Sequence, residues 1–421
     1  MNQPMRICSS DSDSQGTLRV DVVSLENHFP IPGARVRIFP SGSQEPAVQD
    51  LTTDRSGHTP AIPLQAPPLS LSLAPGGSRP YSEYDLEISA PGFKTQFIRR
   101  TEILPNSMAI QPAALEAETD TRPVPDPVII PEHTLYGSYP PKIAETEVKP
   151  VPESGEIVLS RVVVPQTIVV HDGVPTDDSA PDYYVPYRDY IKNVASSEIY
   201  ATWPQASITA NVLAIMSFTL NRVYTEWYRN QGYDFTITSS TAFDHKWIYG
   251  RNIYETISLT VDEIFDNYLS RPDVRQPILT QYCDGRQVTC SQWMTQWGSC
   301  ELGEQGYSPI EILRHFYGPD IYINTAEQIA GIPASWPGSD LVQGSSGPKV
   351  RQLQEQLDAI ASVYTAIPRI RADGFYGPAT AAAVSEFQSV FGLPQTGTVD
   401  FRTWYKISHI YVGITRIAEL Q

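Results

Sequence analysis

Ten prolines fall within the 48 residues from Pro105 to Pro152, mixed with Glu, Thr and Ala. Proline lacks the amide hydrogen that a helix interior needs, so this stretch cannot be a helix. It also holds too few large apolar residues to build a core. Folded units must therefore lie on either side, and residues 113–155 read as an extended Pro-rich linker, in part ordered against a neighbour. The length of 421 residues agrees with two or three domains.

Upstream, Leu18, Val20 and Val22 alternate with polar neighbours, as do Val36 with Ile38 and Leu86 with Ile88, between turns at Pro32-Gly33 and Pro91-Gly92. Alternation broken by turn residues predicts a small antiparallel β-sandwich over residues 16–112. From Tyr187 the period lengthens. Helices are expected from Tyr187, over Ala206 to Tyr228, over Tyr254 to Leu269, and from near Ser308. Strands are expected at Ile157-Val158-Leu159, at Ile168-Val169-Val170, and twice within Gln276 to Tyr282. The helix from Ala206 is apolar nearly all round and so should be buried. Residues 156–335 read as one α+β domain. Beyond Pro337-Gly338, Val350, Leu353 and Leu357 share one helical face, Ala379, Ala383, Val384 and Phe387 another, and a third helix follows Asp400. Residues 340–412 read as a three-helix bundle, which makes the chain multidomain: sandwich, α+β domain, bundle.

Thirty Lys and Arg stand against 47 Asp and Glu, a net charge of −17. Such a surface repels phosphate, so neither nucleic acid nor an anionic membrane is an expected partner. The longest apolar run, Val212 to Leu220, is too short to insert across a bilayer. The first residues, MNQPMRICSSDSDSQG, lack an apolar segment of the secretory type, so no signal peptide is expected and the export route stays open. Cys8, Cys283, Cys290 and Cys300 make no disulfide scaffold.

Three resemblances add to this. Gly347-Pro348-Lys349-Val350-Arg351-Gln352-Leu353-Gln354, Asp373-Gly374-Phe375-Tyr376-Gly377-Pro378-Ala379-Thr380, Phe387-Gln388, Thr396-Gly397 and Thr403-Trp404 resemble the three-helix peptidoglycan-binding repeat. That likeness implies peptidoglycan glycan strands as the partner. Asp373, Gly374, Phe375, Tyr376 and Gly377 are the candidate ligand loop: its glycines let backbone amides approach a polar ligand, and its rings offer a flat face. Near the N-terminus, Gly16-Thr17-Leu18-Arg19-Val20, Ile31-Pro32-Gly33-Ala34-Arg35-Val36, Thr53-Asp54-Arg55-Ser56-Gly57 and Tyr84-Asp85-Leu86-Glu87-Ile88 resemble the carboxypeptidase-regulatory, transthyretin-like sandwich. That family implies a spacer or adhesive module without catalytic residues.

In the middle, Tyr190-Ile191-Lys192-Asn193-Val194-Ala195-Ser196-Ser197-Glu198 precedes Trp203-Pro204. Met294-Thr295-Gln296-Trp297-Gly298, Gly306-Tyr307-Ser308 and Ile312-Leu313-Arg314-His315-Phe316-Tyr317-Gly318 follow in order. These strings resemble the stage II sporulation protein D family, which includes lytic transglycosylases and amidase enhancers. The resemblance implies Glu198 as a single catalytic acid/base, kept protonated by burial among neighbours such as Tyr190, Ile199, Tyr200 and Trp203. Ser239, Ser240, Thr241, Gln296 and Trp297 are further candidates on the substrate side. The family's long helix usually carries a Gln and an Arg-Thr-Tyr run, where this chain has Asn211 and Met216-Ser217-Phe218, so catalytic competence is less secure than the fold.

Some family members bind zinc through His and Cys, and His245 and His315 are the candidate further ligands, though neither sits at a recognisable spacing. The six residues between Cys283 and Cys290 do not match the usual zinc spacing. A Cys283–Cys290 disulfide is favoured, with zinc as the alternative, no cofactor is expected, and Cys300 is left free. His28, His58, His133 and His409 read as surface or turn residues. The leading expectation is a peptidoglycan lytic transglycosylase at the cell wall. The alternative is a non-catalytic wall-binding protein that enhances a partner amidase or belongs to a sporulation or phage-like assembly.

Overall fold

The computed structural model describes residues 14–43, 46–118, 126–150, 159–290, 292–330 and 336–415. It is a multidomain, mixed α/β molecule with β-sheets and C-terminal helices. The expected strand at Ile157-Val158 lies outside the described residues.

Leu18, Val20, Val22, Val36, Ile38, Leu86 and Ile88 are all buried between two N-terminal sheets. One sheet orders Ile253–Tyr254, Met108–Leu115, Gln15–Ser24 and Ile62–Gln65; the other orders Gln49–Thr52, Arg35–Pro40, Ser82–Ser89, Gln96–Ile103 and Val128–Ile129. The pairing is not wholly antiparallel. Met108–Leu115 runs parallel to Gln15–Ser24, because the chain crosses between sheets after Ile103 and no hairpin fixes its direction. At that crossing a Cβ on Gly16 would meet the Leu104 carbonyl oxygen at 2.1 Å, so only glycine fits.

Ile253–Tyr254 belongs by sequence to the middle domain, yet it pairs with Ile110 and Ala109 and extends the first sheet. The junction carries a buried ion pair, Arg251 Nη2 to Glu102 Oε2 at 2.6 Å, and Trp203 Nε1 donates to the Ser72 carbonyl of the N-terminal region at 2.9 Å.

The middle domain is built around the helix Gln205–Tyr224, buried over most of its circumference as its apolar composition requires. Its neighbours are the helices Tyr187–Glu198, Glu255–Ile264, Gln296–Glu304 and Pro309–Tyr317. Pro186 and Pro204 immediately precede the first two helices in extended conformation, which sets sharp starts. A small sheet orders Asp182–Pro186, Thr167–His171 and Ile237–Thr238. Within Gln276 to Tyr282 only Tyr282 enters a strand, pairing in Tyr282–Cys283 with Met294–Thr295. Gln276, Leu279 and Gln281 hydrogen-bond to the Pro-rich segment instead.

That segment is extended, as its prolines demand, and over its described residues it is not free. Val128–Ile129 joins the second sheet in parallel with Ile98 and Arg99. Beyond it, Thr134 donates to the Ser197 carbonyl through both its amide, at 3.2 Å, and its hydroxyl, at 3.0 Å. Those bonds satisfy a carbonyl that the end of the helix Tyr187–Glu198 leaves open. Further on, Glu145 accepts from Arg222 Nη2 at 2.6 Å, and the Lys149 amide donates to Gln276 Oε1 at 2.6 Å. His133 is fully buried, with a ring centroid 4.5 Å from that of Tyr200. It is an anchor of this strap rather than the surface residue expected, because the strap's bonds to the helix end pull it inward.

The tail forms Pro348–Val363, Pro378–Val390 and Phe401–Thr415. The first two helices open on Gly-Pro; the third is capped by Asp400, whose Oδ1 accepts from the Thr403 amide at 2.8 Å. The third helix packs on the middle domain, where Arg188 donates to the Tyr405 carbonyl at 2.9 Å and the Phe265 and Tyr405 rings meet edge to face at 5.3 Å.

Candidate functional site

Glu198 is the last residue of its helix and only 4 % exposed, at the base of an open cleft. Its Oε1 accepts from the Lys246 amide at 2.6 Å. Gln296 Nε2 donates to the Glu198 carbonyl oxygen at 2.9 Å and reaches Oε2 at 3.4 Å. The Tyr282 hydroxyl lies beside the carboxyl without a well-formed hydrogen bond and has no other partner. Burial pushes the carboxyl up from its ordinary value, against the opposing pull of Lys142, Tyr282 and the Lys246 amide. A helix C-terminus carries partial negative charge, which also favours the neutral acid there.

The strap supplies one wall of the cleft. Tyr139, Pro140, Pro141 and Lys142 line it together with Thr241, Tyr282, Asp284 and Gln296. Lys142 lies 5.3 Å from the Phe218 ring centroid and 4.9 Å from that of Tyr282, and it donates to the Asp244 carbonyl. Burial lowers the pKa of its ammonium, with Glu198 and Asp244 pulling the other way. A second carboxylate on the wall, Asp284, is committed to its own loop: it accepts the amides of Arg286, Gln287 and Val288 at 3.1, 2.6 and 2.8 Å. Among the described residues, Glu198 is therefore the one lining carboxyl not spent on holding a turn.

Of the other residues singled out by sequence, Gln296 and Thr241 reach the cleft. Tyr190 is buried behind it, its hydroxyl 3.1 Å from His245 Nδ1. Burial drives the His245 pKa far below its usual value, so the ring is neutral and stacks on Tyr282. Trp203 donates to the Ser72 carbonyl and packs on Trp297, and neither ring lines the cleft. Ser239 and Ser240 serve the backbone of a turn, the Ser240 carbonyl accepting from the Asp244 amide at 2.8 Å. Asn211 binds Ser299 Oγ at 2.7 Å, and Met216 is core. Lys142, Lys246 and Tyr282 were not singled out. Nothing local marks them, since their role arises only where the strap crosses the helix end.

Cys283 and Cys290 are joined in a disulfide, with Cα atoms 6.3 Å apart, and Cys300 is free and buried. Among the described residues no three His, Cys, Asp or Glu side chains gather as metal ligands. The disulfide closes the Asp284 loop at the cleft wall. Chain-entropy reasoning gives so short a loop about 2.5 kcal/mol. A Cys283→Ser/Cys290→Ser variant is expected to unfold at lower temperature than the wild type, while reductant lowers the wild-type midpoint and leaves the variant's unchanged.

In the tail, two glutamines hold the loops. Gln354 Nε2 donates to Asp373 Oδ1, the Phe375 carbonyl and Thr380 Oγ1, while its Oε1 accepts the Gly374 amide at 2.7 Å. Gln388 repeats the pattern on Thr396, Gly397, Thr398 and Thr403. Asp373 also accepts the Phe375 amide at 2.8 Å, so it braces the loop from within. Gly374, at φ +78°, takes the left-handed turn that this requires. Phe375 is 55 % exposed and offers a face; Tyr376, expected to share it, is fully buried with its hydroxyl on the Gly397 carbonyl. Gln388→Ala would remove the acceptor of two part-buried amides, at about 0.5–1.5 kcal/mol each, and should lower the unfolding midpoint measurably by calorimetry.

The profile of a family described as "putative peptidoglycan binding domain" matches residues 346–407. This C-terminal segment is a peptidoglycan-binding domain. The zinc D-Ala-D-Ala carboxypeptidase of Streptomyces albus G is 42% identical over 73 residues, 17% of this chain and 27% of that protein. The match thus spans about a quarter of that relative. Among solved structures, the Bacillus anthracis TIE protein is 16% identical over 25% of this chain and 17% of its own, at a TM-score of 0.17. The minor pilin GBS52 of Streptococcus agalactiae is 18% identical over 27% and 48%, at 0.18. Likenesses at such scores carry nothing further. The peptidoglycan-binding domain supports peptidoglycan as a partner and association with the cell wall. No helix of the described residues is long and apolar enough to cross a membrane.

Proposed function

We propose that the middle domain cleaves the glycan backbone of peptidoglycan by a lytic transglycosylase mechanism, with Glu198 as acid and then base. What carries this reading is one buried carboxyl at the cleft floor, raised in pKa, beside a carboxylate that is fully engaged elsewhere. Ordinary glycoside hydrolysis needs two carboxyl groups. One suffices when the sugar supplies its own nucleophile. Protonated Glu198 donates to the glycosidic oxygen as the C1–O bond breaks, and the C6 hydroxyl of the same sugar then closes on C1. Its proton passes to the Glu198 carboxylate, leaving a 1,6-anhydro-N-acetylmuramic acid end and no net use of water. The peptidoglycan-binding domain would hold the polymer and raise its local concentration, with the sandwich as spacer or attachment module. A disulfide fits an oxidising, extracytoplasmic site of action.

A second reading is favoured by one observation: Glu198 is nearly covered, with the strap as a wall above it. A protein that binds the wall without cleaving it, and assists an amidase or an assembly, would need no more access than that. Incubation with intact and peptide-stripped peptidoglycan, followed by mass spectrometry, separates the two. Anhydro-terminated products support cleavage; retention on the wall without new glycan ends supports the binder.

A further inference from the structure

A second groove lies beside the Glu198 cleft. Lys246 links the two: its amide holds Glu198 Oε1, and the residue lines an open groove with Asp172, Trp247, Tyr249 and Ile129. Tyr139, a wall of the first cleft, has its ring centroid 5.6 Å from the Lys246 ammonium, so one lysine marks the seam. The rings in this groove are braced. Tyr183 stacks on Tyr249 with centroids 4.9 Å apart and planes at 27°, and it meets Trp247 at 5.1 Å. Tyr249 is 43 % exposed despite this support. Trp247 is buried and its Nε1 donor has no acceptor among the described residues.

We propose that this groove is a docking subsite for an N-acetylated, β-1,4-linked sugar chain running on from the Glu198 cleft. This rests on the glycan-cleaving reading above. A pyranose presents an apolar C–H face and a polar rim of hydroxyl and acetamido groups. A braced aromatic ring takes the face, while Asp172 and Lys246 line the same groove and can meet the rim. A purely apolar protein segment would leave those polar groups unpaired, which disfavours it as occupant. Holding the chain at a distance from the reacting bond is binding energy that can be used for orientation at Glu198.

The test titrates a tetramer of β-1,4-linked N-acetylglucosamine into the full chain by calorimetry, with thermal midpoints as a folding control. Because the peptidoglycan-binding domain can bind the same probe, each variant is also made in a Phe375→Ala background. Tyr249→Ala is expected to weaken binding about tenfold or more, Tyr249→Phe to stay within twofold, and Tyr184→Ala, at a side chain 76 % exposed on the other face of its strand, to stay within twofold. Equal affinity in wild type and Tyr249→Ala, or no binding by wild type in either background, overturns the subsite. Tetramer binding lost in Tyr249→Ala, together with an absence of anhydro ends from wild type, would keep the subsite and remove the cleavage chemistry.

Discussion

Replacing Arg222 with methionine is expected to lower stability by about 3–5 kcal/mol, the usual cost of removing one partner from a buried ion pair. Arg222 is fully buried on the long helix, with Nε on Asp244 Oδ1 at 2.7 Å and Nη2 on Glu145 Oε1 at 2.6 Å. Burial alone would raise the Glu145 carboxyl; the bonds from Arg222 and Lys149 outweigh it and hold its pKa below the usual value. Without the guanidinium, two carboxylates would be left facing each other's field. Asp244 also accepts from the Tyr228 hydroxyl at 2.6 Å and from Thr238, so the loss spreads into the turn before His245. At roughly 2–4 °C per kcal/mol, the unfolding midpoint should fall by about 6–20 °C. A triple variant, Arg222→Met with Glu145→Gln and Asp244→Asn, should recover part of that loss. No recovery would mean that the packing of Arg222, and not its charge, holds the strap.

The second large effect is on turnover. Glu198→Gln keeps shape and an acceptor for the Lys246 amide but cannot give up a proton, and glycan cleavage should fall by about 10²–10⁴-fold. Stability should move the other way. Glu198 has a folded pKa above its ordinary value, so the folded state binds more protons than the unfolded one between those two values. Wild-type stability therefore falls as pH rises through that window, and the difference from the glutamine variant appears there. The same sign governs activity: the acid form is present below the folded pKa, and cleavage should decline as pH rises through it. A variant as active as wild type would assign the chemistry to another group. Equal stability profiles across pH would mean that Glu198 is not buried as an acid.

Much of the fold was legible because it is periodic. Leu18, Val20 and Val22 could hardly serve anything but a half-buried strand, and the apolar run from Ile208 to Leu220 could only be interior. Glu198 stands out in the sequence only through the resemblance; its burial at a cleft floor is visible only in the structure. The strap was the hard part. Proline content correctly demanded an extended chain, yet whether such a chain hangs free or is bound depends on partners such as Gln276, Gln281 and Arg222, more than seventy residues away. No local pattern encodes contacts of that range. Phe375 and Tyr376 show the limit at the smallest scale: two adjacent rings, one exposed and one in the core, sorted by a left-handed turn at Gly374.

The most direct measurement is a digest of peptide-stripped peptidoglycan in water enriched in oxygen-18, with wild type and Glu198→Gln side by side, read by mass spectrometry. One acid acting with the sugar's own hydroxyl predicts anhydro ends from wild type that carry no heavy oxygen, and none from the variant. Reducing ends labelled with oxygen-18 would contradict the account by requiring a water nucleophile and a second base; no new ends at all would leave a wall-binding protein.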